Sequence, residues 1–344
     1  MQVIMEVSSK QSFIDRWKSR IFTSGRKPWI DLLRAIAIAF VIFGHHLPTS
    51  LDNRFIYFVF TSPIKLPLFF AISGYLFSAD RYNPGQFLLK LLRQLVIPWI
   101  VLGLLGSAMQ TVFAGSSFIG SAKALFTGKS FWYMPCLIIA EIIFYFIVRY
   151  IKKIWAVILL CAACFAIGHI LYQQDTLDIL MINRALCVQA FLVIGYLIRV
   201  FWDRICEVDI KAIVVLALIY IGLGVLSVFV FPGCDMDVHM CDYYCIPLNF
   251  AMVVIGVVTL FAGFSKLQKI PKWISFIGQN TLLAYMLNAY PVSVFTKVLA
   301  AIGIVIPSGV GSAFIYLIVA LIGCSVISMI VNYIAPEIVG RKRK

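Results

Sequence analysis

The stretch that most limits the fold is residues 28–48, PWIDLLRAIAIAFVIFGHHLP, which is apolar around a whole helix and yet carries ionisable residues. Asp31 and Arg34 lie near its beginning, and His45 and His46 lie near its end. A helix of this length and composition matches the hydrocarbon core of a bilayer. Because an ionisable group inside a bilayer is costly, it usually faces a cavity or a partner and indicates a functional site.

The rest of the chain shows the same apolar excess. Of the 344 residues, 62% are hydrophobic and 13% are charged, and the mean hydropathy is +0.97. Soluble domains are about half apolar and about one quarter charged, so a water-soluble globule is excluded. We therefore predict an all-α polytopic integral membrane protein, in contact with membrane lipids. The net charge of +14 would suggest nucleic-acid binding in a soluble chain, but here it follows the topology, and no nucleic-acid partner is expected.

Apolar runs of helix length predict about ten transmembrane helices. Their approximate bounds are 29–47, 54–79, 91–114, 131–149, 154–173, 184–201, 211–232, 244–264, 275–298 and 311–334.

The distribution of lysine and arginine predicts the orientation of these helices. With ten helices, one face of the membrane receives both termini and most of the cations of the loops. The opposite face receives only Arg54, Lys123, Lys129, Arg184 and Lys297. The positive-inside rule then places both termini in the cytoplasm. The N-terminal segment 1–27 is predicted to be a basic cytoplasmic segment and 337–344 a basic tail, with the membrane domain at 28–336. Segment 10–27 can alternatively form an interfacial helix that binds a ligand.

Arg34 and His45 are the first candidate catalytic residues. Their spacing puts them within about 20° of one helix face and about 16 Å apart along the axis. A guanidinium binds phosphate or carboxylate, and an imidazole accepts and returns a proton near neutral pH. In the structural alternative, Arg34 pairs with Asp31 and His45 only bonds another helix. His46 points about 100° away from His45, and helix geometry does not choose between the two.

The second span contains KLPLFFAISGYLFS, in which Phe69 and Phe70 precede Ser73 and Gly74. Small residues let helices approach closely, which is the structural interpretation. In the functional interpretation, Ser73 donates a hydrogen bond near the reacting group. Without a visible base partner, a covalent nucleophile is not predicted at this serine.

The fourth span, FWYMPCLIIAEIIFYFIV, places Glu141 in the middle of an apolar helix. A buried carboxylate needs a partner or a proton, and His45, Arg34 or a substrate hydroxyl would serve. Trp132 lies where an interfacial aromatic belt is expected, and its ring can also stack against a sugar.

Three of the nine cysteines, Cys234, Cys241 and Cys245, crowd the segment PGCDMDVHMCDYYCIP. In an oxidising compartment this segment is expected to hold one disulfide. His239 and Asp237 lie nearby, but the spacing matches no common zinc pattern, and no metal site is predicted.

Several of these motifs together resemble the membrane-bound acyltransferase 3 family. The landmarks are Asp31 to Arg34 with His45 eleven residues after the arginine, then FFAISGYLF, FWYMPCLIIAE and IGQNTLLAYMLNAY. They occur in the family's order from about residue 28 to 290, and FWYMPCLIIAE is similar to the fucose 4-O-acetylase-like branch. Many members end the last motif in a histidine, where this chain has Asn288.

The resemblance implies acyl transfer, usually of acetyl, from cytoplasmic acetyl-CoA to a hydroxyl of a cell-surface or lipid-linked sugar. It implies a multi-pass protein of the bacterial inner membrane. It also implies that His45, which follows Gly44, is the family histidine, with Arg34 as the essential arginine and Phe69, Phe70, Ser73 and Gly74 as the FFxxSG motif. Glu141 would orient or charge-balance the histidine. A transporter or flippase for lipid-linked glycans, or a membrane sensor, is the alternative from another class.

Overall fold

A computed structural model describes residues 27–48, 53, 55–174, 178–231 and 236–341. Apart from Lys27, the N-terminal segment with its proposed interfacial helix lies outside these residues. Helices account for most of the described chain, and the one small sheet is a two-stranded antiparallel hairpin. The hairpin pairs β1 (Met236–Asp237) with β2 (Asp242–Tyr243), and Met236 lies opposite Tyr243.

The α-helices are numbered in chain order. They are α1 (Pro28–His46), α2 (Ser62–Leu76), α3 (Pro84–Leu91), α4 (Ile97–Ala114), α5 (Phe118–Phe126), α6 (Tyr133–Tyr150), α7 (Ile154–Gln173), α8 (Ile182–Cys187), α9 (Gln189–Val200), α10 (Trp202–Glu207), α11 (Ile210–Val225), α12 (Ile246–Ser265), α13 (Lys272–Gln279), α14 (Thr281–Leu287), α15 (Ala289–Ala301) and α16 (Val310–Ile334). The π-helical segments are Ile56–Thr61, Leu92–Val96 and Leu226–Val230, and the 3-10 turns are Ile179–Met181 and Pro336–Val339.

Within the described residues, eight helices are long and apolar enough to cross a bilayer. Two further spans are bent pairs, in which α8 and α9 meet at 49° and α14 and α15 meet at 48°. Counting each bent pair as one span gives ten, which confirms the predicted all-α polytopic fold. The sixth and ninth predicted spans are therefore broken helices rather than straight ones.

The third span begins earlier than predicted, at Pro84 instead of near residue 91. Asn83 caps this helix, because its Oδ1 accepts a hydrogen bond from the backbone N of Gln86 at 2.9 Å. The side chain of Gln86 in turn accepts from the backbone N of Asn83 at 3.3 Å. This capping box starts the helix in a polar segment that a search for apolar runs does not detect.

Glycines allow two pairs of helices to approach closely. A Cβ placed on Gly195 would lie 1.8 Å from the carbonyl oxygen of Ala71, and one on Gly74 would lie 1.9 Å from that of Leu192. These reciprocal contacts join α2 to α9. A Cβ on Gly278 would lie 1.9 Å from the carbonyl oxygen of Asp31, which joins α13 to α1. Close contact of small residues is the usual way in which helices associate inside a bilayer.

Cationic side chains are concentrated at one end of the bundle, and we call this end the basic face. Arg81 and Arg199 line one cavity together with Lys27, which precedes α1, and Arg81 lines a second cavity together with Arg341, near the end of the chain. The beginning and the end of the described chain thus lie at one face, as ten spans require. The predicted cytoplasmic location of this face stays a prediction.

Candidate active site

The charged residues predicted in α1 and α6 share one internal cavity. Arg34 and Glu141 both line a cavity of about 360 Å³, and Lys90 and Arg341 are the other charged residues among its described lining. The positive charges of Lys90 and Arg34 both act on the Glu141 carboxylate. With three cations and one carboxylate, the cavity attracts an anion even after Glu141 is balanced.

The remaining wall of this cavity is mainly aromatic and aliphatic. Phe69 and Ser73 line it from α2, Tyr133 from α6 and Tyr285 from α14. The rings of Tyr133 and Tyr285 lie 5.3 Å apart, and the Tyr285 hydroxyl oxygen accepts a hydrogen bond from the backbone N of Tyr133 at 3.2 Å. The ring of Phe69 lies 5.9 Å from that of Tyr133. The cavity therefore combines charged groups with walls that suit an apolar chain.

Along α1, the cavity extends from Arg34 to Val41. Val41 lies on the same helix face as Arg34 and His45, because seven and eleven residues are each close to a whole number of turns. His45 is about 6 Å beyond Val41, or one turn. The structure thus brings Arg34 together with Glu141 but does not place His45 in their cavity.

Two wider cavities adjoin this cavity on the side of the basic face. One, of about 900 Å³, shares Lys90, Gln94 and Arg341 with it, and the other, of about 710 Å³, shares Arg34. We call the two together the basic vestibule. Its cations are Lys27, Arg34, Arg81, Lys90, Arg93, Arg199 and Arg341. The described acidic lining consists of Asp31 and Glu337. A polyanion is therefore the ligand class that this entrance favours.

His45 is exposed at the opposite end of α1. Lys65 lies beside this last turn, since a Cβ on Gly44 would be 3.7 Å from its Nζ. The Nζ of Lys65 donates a hydrogen bond to the hydroxyl of Tyr57 at 3.3 Å. His46 instead packs against Tyr316 of α16, with ring centroids 5.2 Å apart. The two histidines therefore have different surroundings, and only His45 shares its helix face with the cavity.

The hairpin between α11 and α12 lies near His45. The charges of Asp237 and His239 act on the His45 imidazole. The ring of His239 lies 4.7 Å from that of Trp132, which is predicted to stack against a sugar. Burial lowers the pKa of His239, and the charge of Arg184 adds to this effect, so the ring is neutral at pH 7. Trp132 therefore lies on the His45 side of the protein and does not line the Arg34 cavity.

Arg184 fixes the hairpin to the bundle. Its Nε donates to the carbonyl oxygen of His239, and its guanidinium forms an ion pair with Asp178. Asp237 Oδ1 accepts hydrogen bonds from the backbone N of His239 at 2.7 Å and of Met240 at 3.2 Å. These bonds fix the backbone of the turn that carries the His239 side chain.

The cysteines of this region divide into two kinds. Cys245 is disulfide-bonded, in agreement with the expected single disulfide, whereas Cys241 is a buried free thiol. Cys234 lies outside the described residues. A hydrogen bond between the thiols of Cys187 and Cys241, together with burial, raises the pKa of Cys241, so it stays protonated.

Three of the predicted substrate-binding residues are held in packing contacts. Asp31 is 1% exposed, and its Oδ2 accepts hydrogen bonds from Ser275 Oγ at 2.7 Å and Gln279 Nε2 at 2.9 Å. Phe70 is fully buried, with its ring 5.1 Å from that of Tyr133. Gly74 forms the contact with α9 described above. Direct binding of substrate by these three stays a prediction, whereas Phe69 and Ser73 line the cavity.

Sequence patterns gave no indication of several lining residues. In the sequence, Lys90 and Arg341 are two of the many cations that predict the orientation of the helices. Tyr133 and Tyr285 resemble the other aromatic residues of the membrane spans. No local motif distinguishes Lys90 or Arg341 from its neighbours, because the place of each in the cavity wall depends on packing between distant helices. A weak signal exists for Tyr133, which belongs to the motif FWYMPCLIIAE, and for Tyr285, which belongs to the motif IGQNTLLAYMLNAY.

Comparison with known proteins supports the resemblance. The model of the acyltransferase domain family matches residues 27–329, which include α1, α2 and α6 and hence His45, Arg34 and Glu141. No curated protein and no solved structure matches the chain. The matched segment covers most of the chain, and the chain therefore belongs to the acyltransferase 3 family.

Proposed function

We propose that this protein is an O-acyltransferase that moves an acetyl group from cytoplasmic acetyl-CoA to a hydroxyl of a cell-surface or lipid-linked sugar. The observation that carries the proposal is the cavity shared by Arg34 and Glu141, which adjoins the basic vestibule. The proposed location is the bacterial inner membrane, with the basic face in the cytoplasm. Membership of an acyltransferase family favours this enzyme over the transporter that the sequence left open.

The donor fits this arrangement by its chemistry. Acetyl-CoA carries several phosphate charges at one end and a long, less polar arm with the thioester at the other. The cations of the basic vestibule suit the phosphates, and the wall formed by Phe69, Tyr133 and Tyr285 suits the arm. Glu141 would balance Arg34 and Lys90, the two cations that act on it, instead of contacting the histidine.

His45 would handle the proton of the acceptor. As general base, its imidazole removes the proton from the sugar hydroxyl while the hydroxyl oxygen attacks the thioester carbonyl carbon. The C–O bond forms, the C–S bond breaks, and the imidazolium returns its proton to the leaving thiolate. Alternatively, the imidazole carries the acetyl group transiently before the hydroxyl accepts it. The acceptor would approach from the side of Trp132 and His239.

Purified protein in detergent tests the proposal through consumption of acetyl-CoA and acetylation of a glycan acceptor, and cells test it through the O-acetyl content of their surface glycan. His45→Ala is expected to abolish acetyl transfer. His46→Ala is the matched control, since its ring packs against Tyr316, and it should keep most of the activity. Wild-type acetylation by the His45→Ala protein would contradict the proposal.

A further inference from the structure

The C-terminal turn of the described chain forms part of the wall of the Arg34 cavity. Val339, Gly340 and Arg341 all line this cavity, and Gly340 and Arg341 also line the 900 Å³ cavity next to it. Arg341 therefore lies where the inner cavity meets the basic vestibule. These residues follow the end of the family match at residue 329, so the family assignment gives them no role.

The backbone of this turn is fixed in place. Gly340 adopts a left-handed conformation, with φ of 70°, and a Cβ there would lie 2.9 Å from the Cα of Gln94. A side chain at this position would meet backbone and be strained by the positive φ. The backbone N of Arg341 donates to the carbonyl oxygen of Pro336 at 3.0 Å. The turn is thus pressed against the π-helical segment Leu92–Val96 of the third span.

Buried amides hold the side chain of Arg341. Its Nη2 donates to the carbonyl oxygen of Gln279 at 2.9 Å and to Asn280 Oδ1 at 3.0 Å. The same Asn280 Oδ1 accepts from Asn332 Nδ2 at 2.8 Å, while Asn280 Nδ2 donates to the carbonyl oxygen of Phe276 at 2.7 Å. Asn280 and Asn332 are both buried. This network orients the guanidinium towards the junction of the cavities, where Lys90 is the other cation common to both.

We propose that Arg341 is an anion-binding residue for a phosphate group of the acyl donor, held in position by Asn280 and Asn332. The inference rests on the proposed function, because it assigns the donor to this cavity. A guanidinium that hydrogen bonds hold in the wall of a cavity, beside another cation, is a suitable partner for a phosphate oxygen. The alternative, that Arg341 only fastens the end of the chain, predicts a different dependence on ligand charge.

Binding of two ligands to the purified full-length chain separates these alternatives. CoA carries the phosphates, whereas pantetheine has the same arm and thiol without the adenosine phosphates. Arg341→Gln is expected to weaken CoA binding by about tenfold or more, the loss for one hydrogen bond to a charged group, and to leave pantetheine binding nearly unchanged. Lys211→Gln, which removes an exposed cation at the start of α11, is the matched control and should bind both ligands like wild type.

Two results would overturn the inference while leaving the proposed function intact. One is wild-type CoA affinity in the Arg341→Gln protein, and the other is an equal loss of affinity for CoA and pantetheine, which a purely structural role predicts.

If Arg341→Gln does not fold, Arg341→Lys is tested instead, because a lysine keeps the charge but cannot bond Asn280 and a phosphate in the same fork geometry. The Arg341→Lys protein should bind CoA several-fold more weakly and bind pantetheine with nearly unchanged affinity. Wild-type CoA affinity in this variant would count against the inference. A wild-type protein that neither binds CoA nor consumes acetyl-CoA would refute the proposed function itself.

Discussion

The contact between α13 and α1 gives a prediction whose size follows from the structure. A Cβ at Gly278 would lie 1.9 Å from the carbonyl oxygen of Asp31, and ordinary contact begins at 3.4 Å. In Gly278→Ala the two helices must therefore separate by about 1.5 Å, the difference between these two distances. Because Gly278 is in a helix, the alanine adds no other backbone strain, and the separation is the main consequence.

The separation also breaks hydrogen bonds to a buried carboxylate. Ser275 Oγ and Gln279 Nε2 lie 2.7 and 2.9 Å from Asp31 Oδ2. If α13 moves as a unit, both distances grow to more than about 4 Å, beyond hydrogen-bonding range. Each bond to a charged group contributes about 1.5–3 kcal/mol, so the expected loss of stability is about 3 kcal/mol or more. The shift also displaces Gln279, which lines the Arg34 cavity, and activity should fall with stability.

Thermal unfolding of the purified protein in detergent, followed by tryptophan fluorescence, measures this loss. Gly222→Ala in α11 is the matched control, because nothing lies within 4 Å of a Cβ placed there. The control should be as stable as wild type or slightly more stable, since alanine is the better helix former. A Gly278→Ala protein that melts like wild type, or a control that loses as much stability, would refute the packing argument.

Three further predictions concern individual side chains. Glu141→Gln should lower the rate of acetyl transfer by about tenfold or more, because it removes the charge that balances the cavity cations. Glu207→Gln, which changes an exposed residue, is the control and should keep the wild-type rate. Equal rates in the two variants would contradict this prediction. The pKa of His239 is lowered in the folded protein. Below about pH 6.5 the unfolded chain therefore binds more protons than the folded protein does. The stability of the wild-type protein should fall as the pH drops from 7 to 5. His239→Asn should make melting temperatures less dependent on pH over that interval, and parallel curves would exclude the effect. The Arg149–Asp80 ion pair is solvent-exposed, so Arg149→Gln should change the free energy of unfolding by about 0.5 kcal/mol or less. Chemical denaturation measures this change. A loss of stability well above about 1 kcal/mol would show that Arg149 has a role beyond the ion pair.

The sequence predicts the spans well because a bilayer requires long apolar helices, and composition records this requirement directly. It does not predict the bends, which depend on local hydrogen bonding. Asn288, where many family members have a histidine, lies between α14 and α15. Its Nδ2 donates to the carbonyl oxygens of Ala284 at 3.0 Å and Tyr285 at 2.9 Å. An amide that bonds the carbonyls of the preceding turn in this way accommodates a break that hydropathy cannot detect.

The candidate site was predictable only where one helix carries it. Arg34 and His45 share α1, so their common face follows from helical geometry alone. The meeting of Arg34 with Glu141, and of Trp132 with His239, depends on packing between segments far apart in the chain. Apolar spans differ little in sequence, and their neighbours in space are chosen by close contacts such as those of Gly74 and Gly195, whose partners the sequence does not identify.

The direction of α1 gives the two ends of the proposed site different electrostatic properties. Its N-terminus lies at the basic face, where the partial positive charge of the helix dipole adds to the cations that would attract the donor phosphates. His45 lies in its last turn, where the partial negative charge stabilises an imidazolium. Proton uptake by His45 during transfer would therefore be favoured by the same helix whose other end favours the anionic donor. Reversing the positions of the arginine and the histidine on α1 would lose both effects, so the order in which they occur along the helix is itself part of the site.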